Sequence, residues 1–176
     1  IVSLLSAINT INSGFQVAVM APTEILARQH FNLAKKIFPK DLNISLITGK
    51  SDYKEKKDIL NRLSKHKIDI IFSTHAIFQK KVIFKKLGLI IIDEQHKFGV
   101  NQRKKLSDKG GNDCDVLLMT ATPIPRTLTM TMYGDMDISI IREKPKNRKP
   151  IKTYSKIENK IDDVIKFIKN EIKSGN

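Results

Sequence analysis

Apolar residues follow two alternating rhythms along the chain. Residues 1–12 carry Ile1, Val2, Leu4, Leu5, Ile8 and Ile11 at helical spacing, and Gly14 stands where such a helix closes. Phe15 to Ala21 is a short apolar run and predicts a buried strand. A helix is expected from about Thr23 to Phe38, with Leu26, Leu33 and Ile37 as its apolar face, Ile25 beside them and Pro39 ending it. Ile44 to Thr48 reads as a strand, Asp52 to Lys65 as a polar helix anchored by Ile59, Leu60 and Leu63, and Ile68 to Ser73 as a strand. Leu87 to Asp93 is nearly all aliphatic and predicts the most buried strand. Further on, helices are expected at Val100–Lys109 (stopped by Gly110 and Gly111) and Arg126–Tyr133, and strands at Val116–Thr120 and Ile138–Ile141. Strand–helix–strand repetition with unbroken apolar strands implies a mainly parallel sheet covered on both faces. Right-handed crossovers make this a doubly wound α/β domain.

Glu143 to Pro150 holds two prolines and no other apolar side chain, which marks a linker. One strand, Ile151–Tyr154, and one amphipathic helix, Ile161–Lys173, follow it. A lone strand and helix cannot bury a core. The expected organisation is a first domain over residues 1–142, a linker over 143–150, and the opening of a second domain over 151–176. The first helix starts at Ile1 with no capping side chain before it and no initiator Met, so a preceding segment is also expected.

Composition narrows the partners. The formal net charge of +14 over 176 residues favours a polyanion such as nucleic acid. Lysine is spread almost evenly and isoleucine is abundant, so a compositional bias explains the same excess and both readings stay open. The longest apolar runs are too short to cross a bilayer. No basic start leads into a signal-like apolar stretch. Cys114 is the single cysteine, which excludes an internal disulfide and fits a reducing, cytoplasmic compartment. It sits among loop residues and receives no catalytic role.

Four segments carry candidate chemistry. Ile90-Ile91-Ile92-Asp93-Glu94-Gln95-His96 places two carboxylates at the carboxyl end of an apolar strand, the edge where open α/β sheets bind ligands. Phosphoryl transfer needs a carboxylate to hold Mg²⁺ and a second group to orient water, which suits Asp93 and Glu94. A strand ending in a solvated Asp-Glu pair is the plainer alternative. Leu118-Met119-Thr120-Ala121-Thr122-Pro123-Ile124-Pro125-Arg126-Thr127 lies just past another strand. Its hydroxyls suit a relay from the carboxylates, and a proline-rich turn with Thr122 or Thr127 as a cap is the alternative. At Met20-Ala21-Pro22-Thr23 a strand meets a helix, where free amides favour a nucleic-acid phosphate. An ordinary Thr cap explains it equally. Ser73-Thr74-His75-Ala76 is a similar junction, where capping by Thr74 is favoured over binding.

In this order and spacing the four segments resemble motifs Ia, Ib, II and III of the superfamily 2 helicases. The wording of Asp93 to Val100, Thr120 to Leu128, Tyr133 to Asp137 and Arg148 to Thr153 is similar to the RecG-type branch-migration helicases, and the resemblance spans essentially the whole chain. It implies a RecA-like motor domain that uses ATP and Mg²⁺. It assigns Asp93 and Glu94 to metal and water, and Gln95 and His96 to coupling nucleotide state to Thr120, Ala121 and Thr122. Arg126 faces the same region. Pro22, Thr23, Thr74 and His75 would lie along the DNA backbone, with Thr48-Gly49 on the DNA side. Implied partners are branched or forked DNA, a second RecA-like domain and a wedge domain. The implied location is the bacterial cytoplasm, at the nucleoid.

The departures matter too. That family's phosphate-binding loop should precede Ile1. Gly49-Lys50-Ser51 imitates one, but Ile44 stands where its first glycine is required. The 176 residues alone are therefore expected not to hydrolyse ATP. Two alternatives remain: a non-catalytic DNA- or protein-binding remnant, and a transcription-repair coupling translocase, whose relatives more often carry Glu where Gln95 stands.

Overall fold

The computed structural model describes residues 1–79, 81–94, 114–122, 137–143, 151, 153–155 and 157–175. The chain divides into two compact units, Ile1–Pro125 and Arg126–Asn176. This division falls before the linker read at 143–150, most of which lies outside the described residues.

The first unit is built on five parallel strands: β1 (Gln16–Met20), β2 (Ile44–Ile47), β3 (Ile70–Ser73), β4 (Leu87–Ile92) and β5 (Asp115–Leu118). Their order across the sheet is β2-β3-β1-β4-β5. The chain therefore changes direction of travel at β1, which has β3 on one side and β4 on the other. Helix α1 (Val2–Asn12) leads into β1, and α2 (Glu24–Ile37) and α3 (Tyr53–Ser64) supply the crossovers from β1 to β2 and from β2 to β3. β1, β3 and β4 are buried at every position, as unbroken apolar strands between two helical layers must be.

Alternation along each strand sorts the core into two layers. Val17, Val19, Ile70, Phe72, Leu89 and Ile91 pack with Leu4 and Ala7 of α1 and Ala34 of α2. Ala18, Met20, Ile71, Ile90 and Ile92 pack against Ile59 and Leu63 of α3 and against Ile77, Val82 and Phe84. The expected apolar face of α2 is corrected here. Leu33, Ile37 and Ile25 are exposed, and the buried positions are Ala27 and Ala34. Alanine lets the helix axis lie close to the sheet. The face that docks is therefore the one without bulk, with Phe31 filling the space between its two alanines by packing edge-on to Phe72.

Local signals set the helix ends. α1 closes with Gly14 at φ +79; its amide donates to Ile11 and that of Phe15 to Thr10, the paired bonds of a Schellman cap. α3 ends the same way through His66 at φ +57, whose amide donates to Leu63 while that of Lys67 donates to Arg62. At the start of α3, Asp52 accepts from the amide of Lys54.

One register shift separates β1 and β4. Gln16 pairs with Leu87 but Val17 pairs with Leu89, so Gly88 is an extra residue. Leu87 consequently joins one core layer and Leu89 the other. A Cβ at Gly88 would lie 2.6 Å from Cβ of Phe15.

In the second unit, α4 spans Ile161–Lys173 as the periodicity predicts. Asp162 and Asp163 in its first turn and Lys173 in its last complement the helix dipole. The ring of Tyr154 meets that of Phe167 edge-on at 6.4 Å between centroids. Two expected strands are corrected: described residues in 137–143 and 151–155 form none. Ile140, Ile141, Ile151 and Tyr154 are all well exposed. Apolar, β-branched sequence favours a strand only when a neighbour offers a ladder and a face to cover it. The expected helices at Val100–Lys109 and Arg126–Tyr133 lie outside the described residues.

Candidate nucleotide and nucleic-acid site

In a parallel sheet every strand ends on the same rim. Met20 pairs with Ser73 and with Ile92, and Ile92 pairs with Leu118. The next residues, Ala21, Thr74, Asp93 and Met119, therefore stand level. Backbone bonds continue the ladder past the strands: the amide of Asp93 donates to Met20 at 2.9 Å, that of Met119 to Ile92 at 2.8 Å and that of Ala21 to Ser73 at 3.0 Å. The four candidate segments thus meet on one edge, on both sides of the switch point at β1. Crevices at such switch points are where open α/β sheets hold ligands.

Asp93 follows Leu89 and Ile91 in the alternation that faces the layer of α1 and α2, so its side chain falls on that side of the sheet. There Asp93 Oδ2 lies 2.7 Å from His30 Nε2. The two side chains keep 19% and 27% of their exposure, so the pair is screened but not sealed. An ionised carboxylate only accepts, so the imidazole donates through Nε2. His30 was not singled out in the sequence. The signal was the spacing of Ala27, His30, Phe31, Ala34 and Phe38, hidden behind the bulkier Leu26, Leu33 and Ile37. Glu94 is partly buried and has φ +50. A left-handed backbone at a non-glycine residue is costly and concentrates at functional sites.

At the next strand end, Thr120 and Thr122 hold each other. Their hydroxyl oxygens are 3.0 Å apart, and the amide of Thr122 donates to Thr120 Oγ1 at 3.2 Å. Both are exposed, as is Ala121. Gln95, His96 and Arg126 lie outside the described residues.

On the α2 side, Thr23 caps the helix by accepting from the amide of Leu26 at 3.3 Å. Pro22 is half-buried and Thr23 exposed, so the first turn of α2 opens on the rim. The capping role weighed for Thr74 is corrected: its side chain makes no cap bond at the His75–Phe78 turn. Thr74 is half-buried and His75 exposed at the end of β3. Thr48 needs a correction as well. It is fully buried, so its hydroxyl does not reach the surface, and the rim there is formed by Gly49 and Lys50. Gly49 accepts from Lys56 Nζ at 2.8 Å, and Ser51 Oγ accepts from the amide of Thr48. Ile44 is in the ladder opposite Ile70, so the Gly49-Lys50-Ser51 turn is not a phosphate cradle.

The donor set fits magnesium. Among the described residues there is no group of three or more metal-ligating side chains. Magnesium is held by one or two carboxylates together with water and phosphate oxygens. Asp93 supplies one hard, partly desolvated oxygen pair of that kind. No described helix is long and apolar enough to cross a membrane.

Comparison with known proteins agrees with this geometry. The family model for DEAD/DEAH box helicases matches residues 1–131. The chain is 48% identical over 175 residues to the ATP-dependent DNA helicase RecG of Bacillus subtilis, covering 99% of this chain and 26% of that protein. It is 47% identical to RecG of Streptococcus pneumoniae, over 99% of this chain and 26% of that one. The chain therefore spans about a quarter of the length of these relatives. A solved structure of RecG bound to a three-way DNA junction superposes with a TM-score of 0.80 at 36% identity, covering 99% of this chain and 23% of that one.

Proposed function

The chain belongs to the DEAD/DEAH box helicase family, and from that premise we propose that it forms part of the motor of an ATP-dependent DNA helicase that remodels branched DNA. The observation that carries this reading is the convergence of Ala21, Thr74, Asp93 and Met119 on one sheet rim at the switch point. The similarity to RecG supports the substrate class.

In this reading Asp93 holds the magnesium ion that accompanies ATP, and Glu94 orients the attacking water. When bound, the metal neutralises charge developing on the phosphates. Gln95 and His96 carry nucleotide state to the Thr120–Thr122 turn, and Arg126 serves the same coupling. The capped start of α2 at Pro22 and Thr23, the Gly49 backbone, Thr74 and His75 follow the phosphate backbone of DNA. Contacts of that kind position a strand without reading its bases. Residues 1–142 belong to the first motor domain, 143–150 link it onward and 151–176 open the second. A wedge domain would engage the branch point. A cytoplasmic, nucleoid-associated protein follows from this role.

The test is the ATPase of the full-length protein with and without a three-way DNA junction. Junction DNA should stimulate hydrolysis, and Glu94→Gln should lower the stimulated rate by at least about a hundredfold, the usual scale for losing a proton-handling carboxylate. Full activity in Glu94→Gln would overturn the reading.

A further inference from the structure

We propose that His30 is a positioning residue that fixes the Asp93 carboxylate for the metal and ties it to α2. The inference rests on the reading of Asp93 as the magnesium carboxylate. It goes beyond that reading by assigning a role to a residue outside the four segments.

The bulge at Gly88 sets the alternation downstream of it, so Leu89, Ile91 and Asp93 point to the α2 layer and Ile90 and Ile92 to the other. Asp93 therefore lies on the side of the sheet that α1 and α2 cover, and its neighbour there is His30 of α2. The helix meets it on its buried side, where Ala34 packs with the strand residues and Ala27 is fully covered, and His30 lies between them at helical spacing. The 2.7 Å bond to Oδ2 uses one carboxylate oxygen and leaves the other for a metal. A carboxylate on a strand end can rotate about two side-chain bonds. A charge-assisted bond to a ring carried by a packed helix removes that freedom before the ion arrives.

The helix is itself anchored. Thr23 caps it at the rim, and seven residues at 1.5 Å rise put His30 about 10 Å further along. The turn read as contacting DNA and the ring that holds the carboxylate thus belong to one rigid element. Outer partners of metal-bound carboxylates commonly change metal affinity by about 10- to 100-fold when removed.

The experiment measures Mn²⁺ binding to the full-length protein in the presence of ADP, from the electron paramagnetic resonance signal of the free ion. His30→Leu keeps the volume without a donor, and His30→Gln keeps an N–H donor. Far-UV circular dichroism and thermal melting check that both fold. His30→Leu should weaken Mn²⁺ binding about 10- to 100-fold, and His30→Gln should recover most of the loss. Binding unchanged in His30→Leu, or equal loss in both variants, would overturn the role of His30. Undiminished Mn²⁺ binding by Asp93→Asn would instead overturn the assignment of Asp93 to the metal.

Discussion

Gln16 donates its side-chain amide to the carbonyl oxygen of Ile68 at 2.9 Å, joining residues 52 positions apart. The same nitrogen donates to Leu63 at 2.9 Å, and its carbonyl oxygen accepts from the amides of Lys85 and Lys86 at 2.8 and 3.1 Å. Gln16 is fully buried, and all four of its hydrogen-bonding positions are used. One side chain thus fastens the end of α3, the approach to β3 and the approach to β4. Gln16→Leu conserves volume but leaves two carbonyls and two amides without their partner. A loss of about 2–4 kcal/mol is expected. Urea unfolding would show it as a lower midpoint at unchanged slope, and an unshifted midpoint would refute the fastening role.

His66 presents the opposite opportunity. It occupies the left-handed position of a Schellman cap at φ +57, where glycine has no Cβ to strain. His66→Gly should raise stability by about 1 kcal/mol. The change reads out as a melting temperature several degrees higher; an equal or lower one would mean that the imidazole holds the turn by other means.

Gly88 tolerates nothing larger. Its missing Cβ would meet Cβ, Cγ and Cδ1 of Phe15 at 2.6, 2.7 and 2.8 Å, and the Phe15 ring is itself covered by Lys86 Nζ at 4.1 Å from its centre. Gly88→Ala must displace the root of that side chain. The expected cost is about 1–3 kcal/mol. Because the bulge also aims Asp93, metal affinity should fall along with stability.

Cys114 should be a poor nucleophile. Burial, then the neighbouring Asp115 charge, raises its thiol from 9.0 to about 11. At pH 8 the thiolate fraction is therefore smaller than in an unfolded chain. Iodoacetamide should label the native protein slowly and the urea-unfolded protein much faster. The sign for stability follows: the folded state holds its proton more tightly, so the contribution is complete below about pH 9 and disappears as pH rises towards 11. Equal labelling rates in the two states would contradict this.

Much of the first unit was legible because its strands are buried on both faces. An unbroken apolar run such as Leu89 to Ile92 has only one stable home, between two helical layers. Strand ends then located the rim, since parallel strands all finish on the same side. The sequence was less informative where context decides. The docking face of α2 is chosen by how closely alanine lets it approach, which hydropathy does not register. Ile138–Ile141 has strand-like composition but pairs with no strand among the described residues. His30 and Gln16 are polar residues whose partners lie 63 and 52 positions away, so no local pattern reveals either. Glu94 was visible as a carboxylate but not as a strained backbone position.

Placing β1 at the centre of the sheet has a consequence for synthesis. β1 is flanked by β3 and β4, both of which follow it in the chain, and the second of them is complete only at Ile92. At 5–20 residues per second the nascent chain presents Val17 to Met20 without the full pair of flanking strands for roughly 4–14 s. Nascent-chain chaperones that cover short aliphatic stretches would find their target in this interval, and slower translation before Ile92 would lengthen the exposure to aggregation.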